Sequence, residues 1–276
     1  TQGHALLLGV GGSGRQSLAR LSSFINDYDC AQIEVTKGYT MVDFRKNLKD
    51  ILKKAGIAQI PVSFLIVDTQ IFNELLLEDV NNCLNTGDVP DLYKAEDWDE
   101  IRTKFRSEVA TRNLPETDTN MFNAFLSSVR SRIHLIIAMS PIGETFSNRL
   151  RNLPSLVNCC TIDWFSEWPE EALKGVASDK LEEYELDLGK TFNETVECIK
   201  YIHKSVEAES ATYLQELRRF NYLTPTSFLE FLLLYKGIFT EKNEEIENNI
   251  NRYEMGLKVL EFAGEKIKVI EEDIRV

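Results

Sequence analysis

The sequence is poor in several residue types that would point to particular functions. It has 3 histidines in 276 residues, and its 5 cysteines form no CxxC pair and have no histidine at the spacing of a metal site, so no zinc site is predicted. Positive charge is also scarce, with 31 Lys and Arg against 44 Asp and Glu. The net charge of −13 argues against a nucleic-acid partner, because neutralising phosphates requires clustered basic side chains.

Long hydrophobic runs are missing as well. The sequence contains no run of 18 apolar residues and no basic-then-apolar leader, so we expect neither a membrane partner nor a signal peptide. The cysteines are then most simply interpreted as reduced thiols of a cytosolic protein. The first residues lead almost directly into an apolar segment, which suggests a piece of a longer polypeptide.

Short apolar segments alternate with helical patterns over residues 1–165. Strands are predicted at 4–9, 30–36, 61–67, 133–139 and 158–163, and helices at 15–27, 41–55, 74–86 and 120–131. This alternation is typical of an α/β fold with a parallel sheet covered on both faces. The polar stretch 90–119 is too long for an ordinary connection and is predicted to be a surface insertion.

The rest of the chain has helical patterns only. Helices are predicted at 169–182, 189–208, 209–220 and 226–239, which together form a small all-helical domain over 166–239. Within 240–276, apolar residues follow an alternating spacing of four and three, interrupted only by Gly264 and Glu271 at seam positions: Ile246, Ile250, Tyr253, Leu257, Leu260, Ile267 and Ile274. This spacing predicts one strand of a coiled coil. The alternative is an amphipathic terminal helix packed on its own domain.

Residues 9–17, GVGGSGRQS, lie between a predicted strand and a predicted helix. Glycines separated by four residues in this context are typical of a phosphate-binding loop, because they allow positive φ and a close approach of backbone N–H groups to an anion. The predicted nucleotide-binding residues are Gly9, Val10, Gly11, Gly12, Ser13, Gly14, Arg15, Gln16 and Ser17. A tight strand-to-helix connection without a ligand is the alternative.

Two residues of the loop depart from the usual pattern, which has Lys and then Ser or Thr after the last glycine. Arg15 keeps the positive charge, whereas Gln16 lacks the hydroxyl that completes a Mg²⁺ site and is only a weak metal ligand. Asp68, which ends the apolar run 64–67, is the other candidate for Mg²⁺. Thr69 stands where an ATPase usually has a glutamate that activates water.

Longer stretches carry a resemblance to a known family. GVGGSGRQSLARL, DTQIFNELLLEDVNNCLNTGDVPDL, AMSPIGETFSNRLRNLPSLVNCCTIDWFSEWPEEAL and YLTPTSFLEFLLLYKGIF together resemble the fourth AAA+ module of a dynein heavy chain, most of all the axonemal class. The resemblance implies an AAA+ P-loop NTPase fold with a helical lid at 166–239, and ATP or ADP as the ligand. It further implies that 240–276 begins the stalk helix.

The partners and location follow from the same resemblance. Neighbouring AAA+ modules of the same chain and the return helix of the stalk would contact this segment, and microtubules would be reached only indirectly. The location implied is cytoplasmic, in the axoneme of a cilium or flagellum.

Carried over residue by residue, the AAA+ pattern places three further changed positions in this chain. Ser140 matches a sensor asparagine, Cys159 an arginine finger and Thr226 a lid arginine. Arg149 or Arg151 could replace the finger. The resemblance therefore implies a module that binds nucleotide but is deficient in hydrolysis, with a regulatory or structural role in a microtubule motor.

Two alternatives remain open at this point. One is an active AAA+ ATPase with a non-standard site, in which Glu78 or Glu144 positions the water. The other is a structural scaffold that binds no nucleotide.

Overall fold

The computed structural model describes the backbone of residues 3–275 and the side chains of residues 3–267. Five strands are found in this part of the chain: β1 (His4–Leu8), β2 (Asp29–Gln32), β3 (Val62–Val67), β4 (Ile133–Met139) and β5 (Cys160–Trp164). They form one sheet in the order β2-β3-β4-β1-β5, and all neighbouring strands are parallel. The predicted α/β fold with a parallel sheet is therefore confirmed.

Helices account for most of the remaining described residues. They are α1 (Arg15–Ile25), α2 (Met41–Gly56), α3 (Glu74–Thr86), α4 (Ala95–Thr111), α5 (Asp118–Arg132), α6 (Glu144–Asn152), α7 (Ser155–Asn158), α8 (Glu170–Glu183), α9 (Phe192–Leu217) and α10 (Pro225–Arg275). The chain divides into two compact units between Glu167 and Trp168. No helix among the described residues is long and apolar enough to cross a membrane.

The sheet of the first unit is covered on both faces. Alternate strand residues such as Phe64 and Ile137 pack with α2, α3, α4 and α5 in the larger core. The residues between them, such as Leu65 and Ala138, pack with Ala19 of α1 in a smaller core. Because both faces are buried, the strands are apolar nearly throughout. The carboxyl ends of β1, β3 and β4 lie side by side.

The stretch 90–119 differs from its prediction as a surface insertion. It contains α4, whose residues Ile101, Phe105 and Val109 are fully buried in the larger core. These side chains recur every four residues and so lie on one face of the helix. The high charge of the stretch belongs to the opposite face. Part of the stretch therefore helps to build the core.

Three predicted boundaries also differ from the structure. Strand β2 ends at Gln32 instead of residue 36, because the Gln70 side chain donates a hydrogen bond to the carbonyl oxygen of Ile33 just beyond the strand. The helices predicted at 189–208 and 209–220 are the single helix α9, since no glycine or proline separates them. The predicted boundary between lid and stalk at 239/240 lies inside α10.

The second unit has a small helical core with a long helix extending from it. Residues of α8, α9 and α10, among them Leu173, Ile199 and Phe228, are buried together. Helix α10 has 51 residues, which is about 77 Å at 1.5 Å per residue. Its six seam side chains from Ile246 to Ile267 are 50–69% exposed, so they do not pack on their own unit. The Ile274 side chain and Val276 lie outside the described residues.

Candidate nucleotide site

The loop between β1 and α1 requires glycine for two different reasons. Gly12 and Gly14 have φ of 80° and 87°, which is the left-handed region that favours glycine. At Gly9 the reason is close approach, because an added Cβ would lie 2.9 Å from both the Cβ of Phe165 and the Oγ of Ser13. The backbone N–H of Ser13 donates to the carbonyl oxygen of Val10 at 3.2 Å, which closes the loop into a turn.

The first turn of α1 begins directly at the end of this loop. Gly14 is its N-cap residue, and no side chain caps the helix. The first N–H groups of a helix have no partner within the helix and carry a partial positive charge. A phosphate group is the kind of ligand that such an uncapped end binds.

Two polar side-chain atoms in the loop are buried without a partner. Neither Oγ of Ser13 nor Nη1 of Arg15 hydrogen-bonds with any described group, although Nη2 of Arg15 donates to the carbonyl oxygen of Val10 at 3.2 Å. Burial lowers the pKa of the Arg15 guanidinium, while the neighbouring Asp68 raises it. Buried polar atoms normally find partners. The loop therefore fits a phosphate, whose oxygens would accept from both groups.

The fold brings three residues from beyond β3 and β4 together beside the loop. Asp68 follows β3 and begins a short 3₁₀ turn that ends at Gln70. One of its carboxylate oxygens accepts a hydrogen bond from the backbone N–H of Ser140, and the other lies 3.8 Å from Nη1 of Arg149. Burial raises the pKa of Asp68 above its ordinary value, and the bond from Ser140 and the charges of Arg15 and Arg149 offset this only in part.

These residues do not fit a Mg²⁺ ion. Both oxygens of Asp68 already face a donor or a cation, and Gln16 is exposed on the first turn of α1. Among the described residues, no group of three or more His, Cys, Asp or Glu is placed to hold a metal. Mg²⁺ prefers six oxygen ligands, several of them usually from water and phosphate, and both oxygens of the carboxylate that the chain would add are already engaged.

The four residues predicted to differ from the catalytic residues of the AAA+ pattern lie in different parts of the structure. Thr69 is exposed in the turn after Asp68, and Ser140 follows β4 beside it. Cys159 immediately precedes β5, and its Sγ is 3.7 Å from Oδ1 of Asn85. Thr226 is the second residue of α10 in the second unit. The first unit therefore brings Thr69 and Ser140 to Asp68.

The two candidate fingers differ in their surroundings. Arg149 is largely buried and binds Glu74 through Nη2 and Nε, at 2.8 and 3.1 Å from Oε1. Arg151 is exposed and forms no ion pair within the described part of the chain. No sequence signal indicates the pairing of Arg149 with Glu74 and Asp68, because these residues are 75 and 81 positions away from it.

The carboxylates considered for an active ATPase are both exposed. Glu78 lies on α3 and lines a cleft of about 290 Å³ with Glu74 and Arg149. Glu144 is the first residue of α6. Neither is hydrogen-bonded to Asp68 or to the loop in the described part of the molecule.

Comparison with known proteins places these features in a family context. A family model described as P-loop containing dynein motor region D4 matches residues 1–238. Dynein axonemal heavy chain 1 is 45% identical over 276 residues in Mus musculus and 47% identical over 274 residues in Homo sapiens. Dynein axonemal heavy chain 3 of Homo sapiens is 44% identical over 275 residues. Each match covers 99% of this chain and 6–7% of the relative, so the chain spans a small part of these relatives.

Proposed function

The chain belongs to the family of P-loop containing dynein motor region D4, and on that premise we propose that it is the fourth AAA+ module of an axonemal dynein heavy chain. In this proposal the module binds ADP or ATP at Gly9–Ser17 and hydrolyses it slowly or not at all. Its role is regulatory or structural, in a motor that acts on microtubules in the ciliary axoneme.

The observation that carries the nucleotide proposal is the pair of buried atoms without partners in the loop. Oγ of Ser13 and Nη1 of Arg15 lie beside an uncapped helix start, and a bound phosphate would satisfy all of these groups at once. Leaving a buried donor unsatisfied costs about 1–3 kcal/mol. A ligand that removes this cost binds more tightly for it.

The proposed deficiency in hydrolysis is supported by the residues around Asp68. Thr69 cannot accept a proton at neutral pH, and losing a general base costs on the order of 10²–10⁴ in rate. Both oxygens of Asp68 are also engaged, one by the Ser140 N–H and one by Arg149, which weakens any Mg²⁺ site beside the loop. A nucleotide in this loop would be held with neither an activated water nor a metal to assist the reaction.

The link to the stalk is supported by the continuity of α10. Leu232 is fully buried in the core of the second unit, and apolar residues follow at every seventh position through Phe239, Ile246, Tyr253, Leu260 and Ile267. A seven-residue repeat keeps one face of a helix toward a partner. We infer that the face of α10 that packs in the lid continues as the surface that contacts the return helix of the stalk. Movement of the lid would then be transmitted along α10 as one rigid helix.

Contacts with neighbouring modules are supported by two exposed features of the first unit. Helix α1 exposes Leu18, Leu21, Phe24 and Ile25, each by more than half of its side chain, and apolar patches of this kind mark interaction surfaces. Arg151 is also exposed, whereas Arg149 is engaged by Glu74. If one of the two serves the site of a neighbouring module, we infer that it is Arg151.

The test measures nucleotide content, binding and turnover of the purified chain. Denaturation followed by chromatography identifies any nucleotide carried through purification, and thermal shifts with ADP and ATP report binding. We expect a bound nucleotide or a thermal shift, with very slow phosphate release. If there is neither nucleotide nor shift, the chain is a scaffold. Brisk Mg²⁺-dependent turnover that Asp68→Ala abolishes would mean an active ATPase.

A gain-of-function variant tests the reason given for slow hydrolysis. Thr69→Glu supplies the missing base, and Thr69→Gln has the same size and no basic carboxylate. Because the metal site is also deficient, we expect Thr69→Glu to raise phosphate release by less than the full 10²–10⁴ range of general-base catalysis. Equal rates for the two variants would show that the missing base does not limit the reaction.

A further inference from the structure

The surroundings of Asp68 contain more positive charge than a phosphate loop by itself provides. Arg15 approaches from α1, and Arg149 approaches from the last turn of α6. The side chain of Arg149 is 15% exposed and that of Asp68 is 32% exposed, so their interaction is only partly screened by water. The acid therefore already has two cations of the chain beside it.

Arg149 is fixed in position by a second carboxylate. Glu74, the first residue of α3, accepts from both Nε and Nη2 of the guanidinium, which leaves Nη1 directed at Asp68. A planar guanidinium bonded to one carboxylate through both Nε and Nη2 has little freedom to turn away. Glu74 itself is 63% exposed, so the pair is open to solvent mainly on the Glu74 side.

We propose that Arg149 is a built-in counter-cation that takes the electrostatic place of the divalent metal beside Asp68, so that nucleotide binding in this module does not require Mg²⁺. This inference rests on the proposed nucleotide site. A fixed positive charge 3.8 Å from the carboxylate repels a metal ion from the same oxygen, and it also reduces the repulsion between Asp68 and an incoming phosphate. The poor fit of the site to Mg²⁺ then has a physical cause.

The first experiment measures the affinity of the full chain for ADP by calorimetry, in EDTA and in Mg²⁺. For the wild-type chain we expect the two dissociation constants to agree within about threefold, a difference of less than 1 kcal/mol. In Arg149→Gln the unpaired Asp68 repels phosphate, so we expect affinity in EDTA to fall on the order of tenfold and Mg²⁺ to restore most of it. Arg106→Gln is the matched control, because Arg106 is an exposed arginine paired with Glu116.

Two results of that experiment would overturn the proposal. One is a wild-type chain that loses most of its affinity for ADP in EDTA. The other is an Arg149→Gln variant that responds to Mg²⁺ no differently from Arg106→Gln.

The second experiment does not depend on nucleotide. Melting temperatures are compared for Asp68→Asn, Arg149→Gln and the double variant, with Arg106→Gln and Glu116→Gln as the control cycle. If Arg149 pairs with Asp68, the double variant melts close to the less stable single variant, because the second change removes nothing further. Additive losses would overturn the pairing. Should ADP fail to bind while this cycle shows coupling, the proposed nucleotide function is wrong and only the pairing of Arg149 with Asp68 stands; should ADP bind while the cycle shows no coupling, the counter-cation alone is wrong.

Discussion

Arg15→Met separates what the loop contributes to ligand binding from what it contributes to folding. Methionine keeps the unbranched stem and removes the guanidinium. In the free chain Arg15 makes one hydrogen bond, from Nη2 to Val10, and leaves Nη1 buried without a partner. Losing the bond costs about 1.5 kcal/mol, and removing the unsatisfied donor returns about 1–3 kcal/mol. We therefore expect a net change between a loss of about 0.5 and a gain of about 1.5 kcal/mol, which is a few degrees at most in melting temperature.

The effect on binding has no such compensation. A phosphate held by this guanidinium would lose a charge-assisted hydrogen bond worth about 1.5–3 kcal/mol, which is roughly 10- to 150-fold in affinity. The variant should thus fold as well as the wild type and bind ADP far more weakly. A residue needed only for folding would give the opposite result.

The measurements are calorimetric titration with ADP and thermal unfolding without ligand, both repeated for Arg20→Met. Arg20 is exposed on the same helix and bonds to Gln32, so this control makes the same charge change away from the loop. We expect its affinity to change by less than about twofold, because salt screens exposed charges within about 10 Å. Binding of ADP by Arg15→Met within twofold of the wild type would refute the assignment, as would a melting temperature lowered by more than about 8 °C.

Three further predictions concern stability. Gly14→Ala should cost about 1–2 kcal/mol in urea unfolding because φ is 87°, whereas Gly11→Ala, whose Cβ meets nothing within 4 Å, should stay within about 0.5 kcal/mol. Burial raises the pKa of Asp97, but bonds from Lys49, Lys53 and the Lys94 backbone lower it to about 2, below its ordinary 3.8. This stabilisation is present above about pH 4 and lost toward pH 2, so Asp97→Asn should cost roughly 2 kcal/mol at pH 7 and little near pH 2. Leu257→Asp should leave the melting temperature unchanged, because Leu257 is 59% exposed; a clear loss would mean that this seam packs on its own unit.

Much of the fold followed from local patterns. The predicted helix at 74–86 and the predicted strand at 133–139 have the bounds of α3 and β4. An amphipathic period and a continuous apolar run can each be recognised from residues that are close together in the sequence. The prediction was wrong for 90–119, where the four-residue spacing of Ile101, Phe105 and Val109 was outweighed by the surrounding charges. A charged stretch can still bury one face when its apolar residues share a helical period.

The candidate site was likewise predictable only in part. The glycines of 9–17 and the acid at Asp68 were recognisable because their spacing is local, and their role in binding nucleotide stays a prediction. The engagement of Asp68 by Ser140 and Arg149 left no trace in the sequence. These contacts depend on the order of the strands, which places the end of β3 next to the end of β4.

The sequence by itself determined that a glycine loop joins a buried strand to a helix, that a parallel sheet precedes a helical unit, and that a seven-residue repeat runs to the end of the chain. These properties depend on residues a few positions apart, where backbone geometry alone sets which side chains share a face. Only the tertiary structure decided that the guanidinium of Arg149 reaches Asp68 across 81 positions, and that Ser13 and Arg15 keep buried atoms without partners. Packing assembles such contacts from segments that are far apart in the sequence, so the spacing of neighbouring residues cannot reveal them.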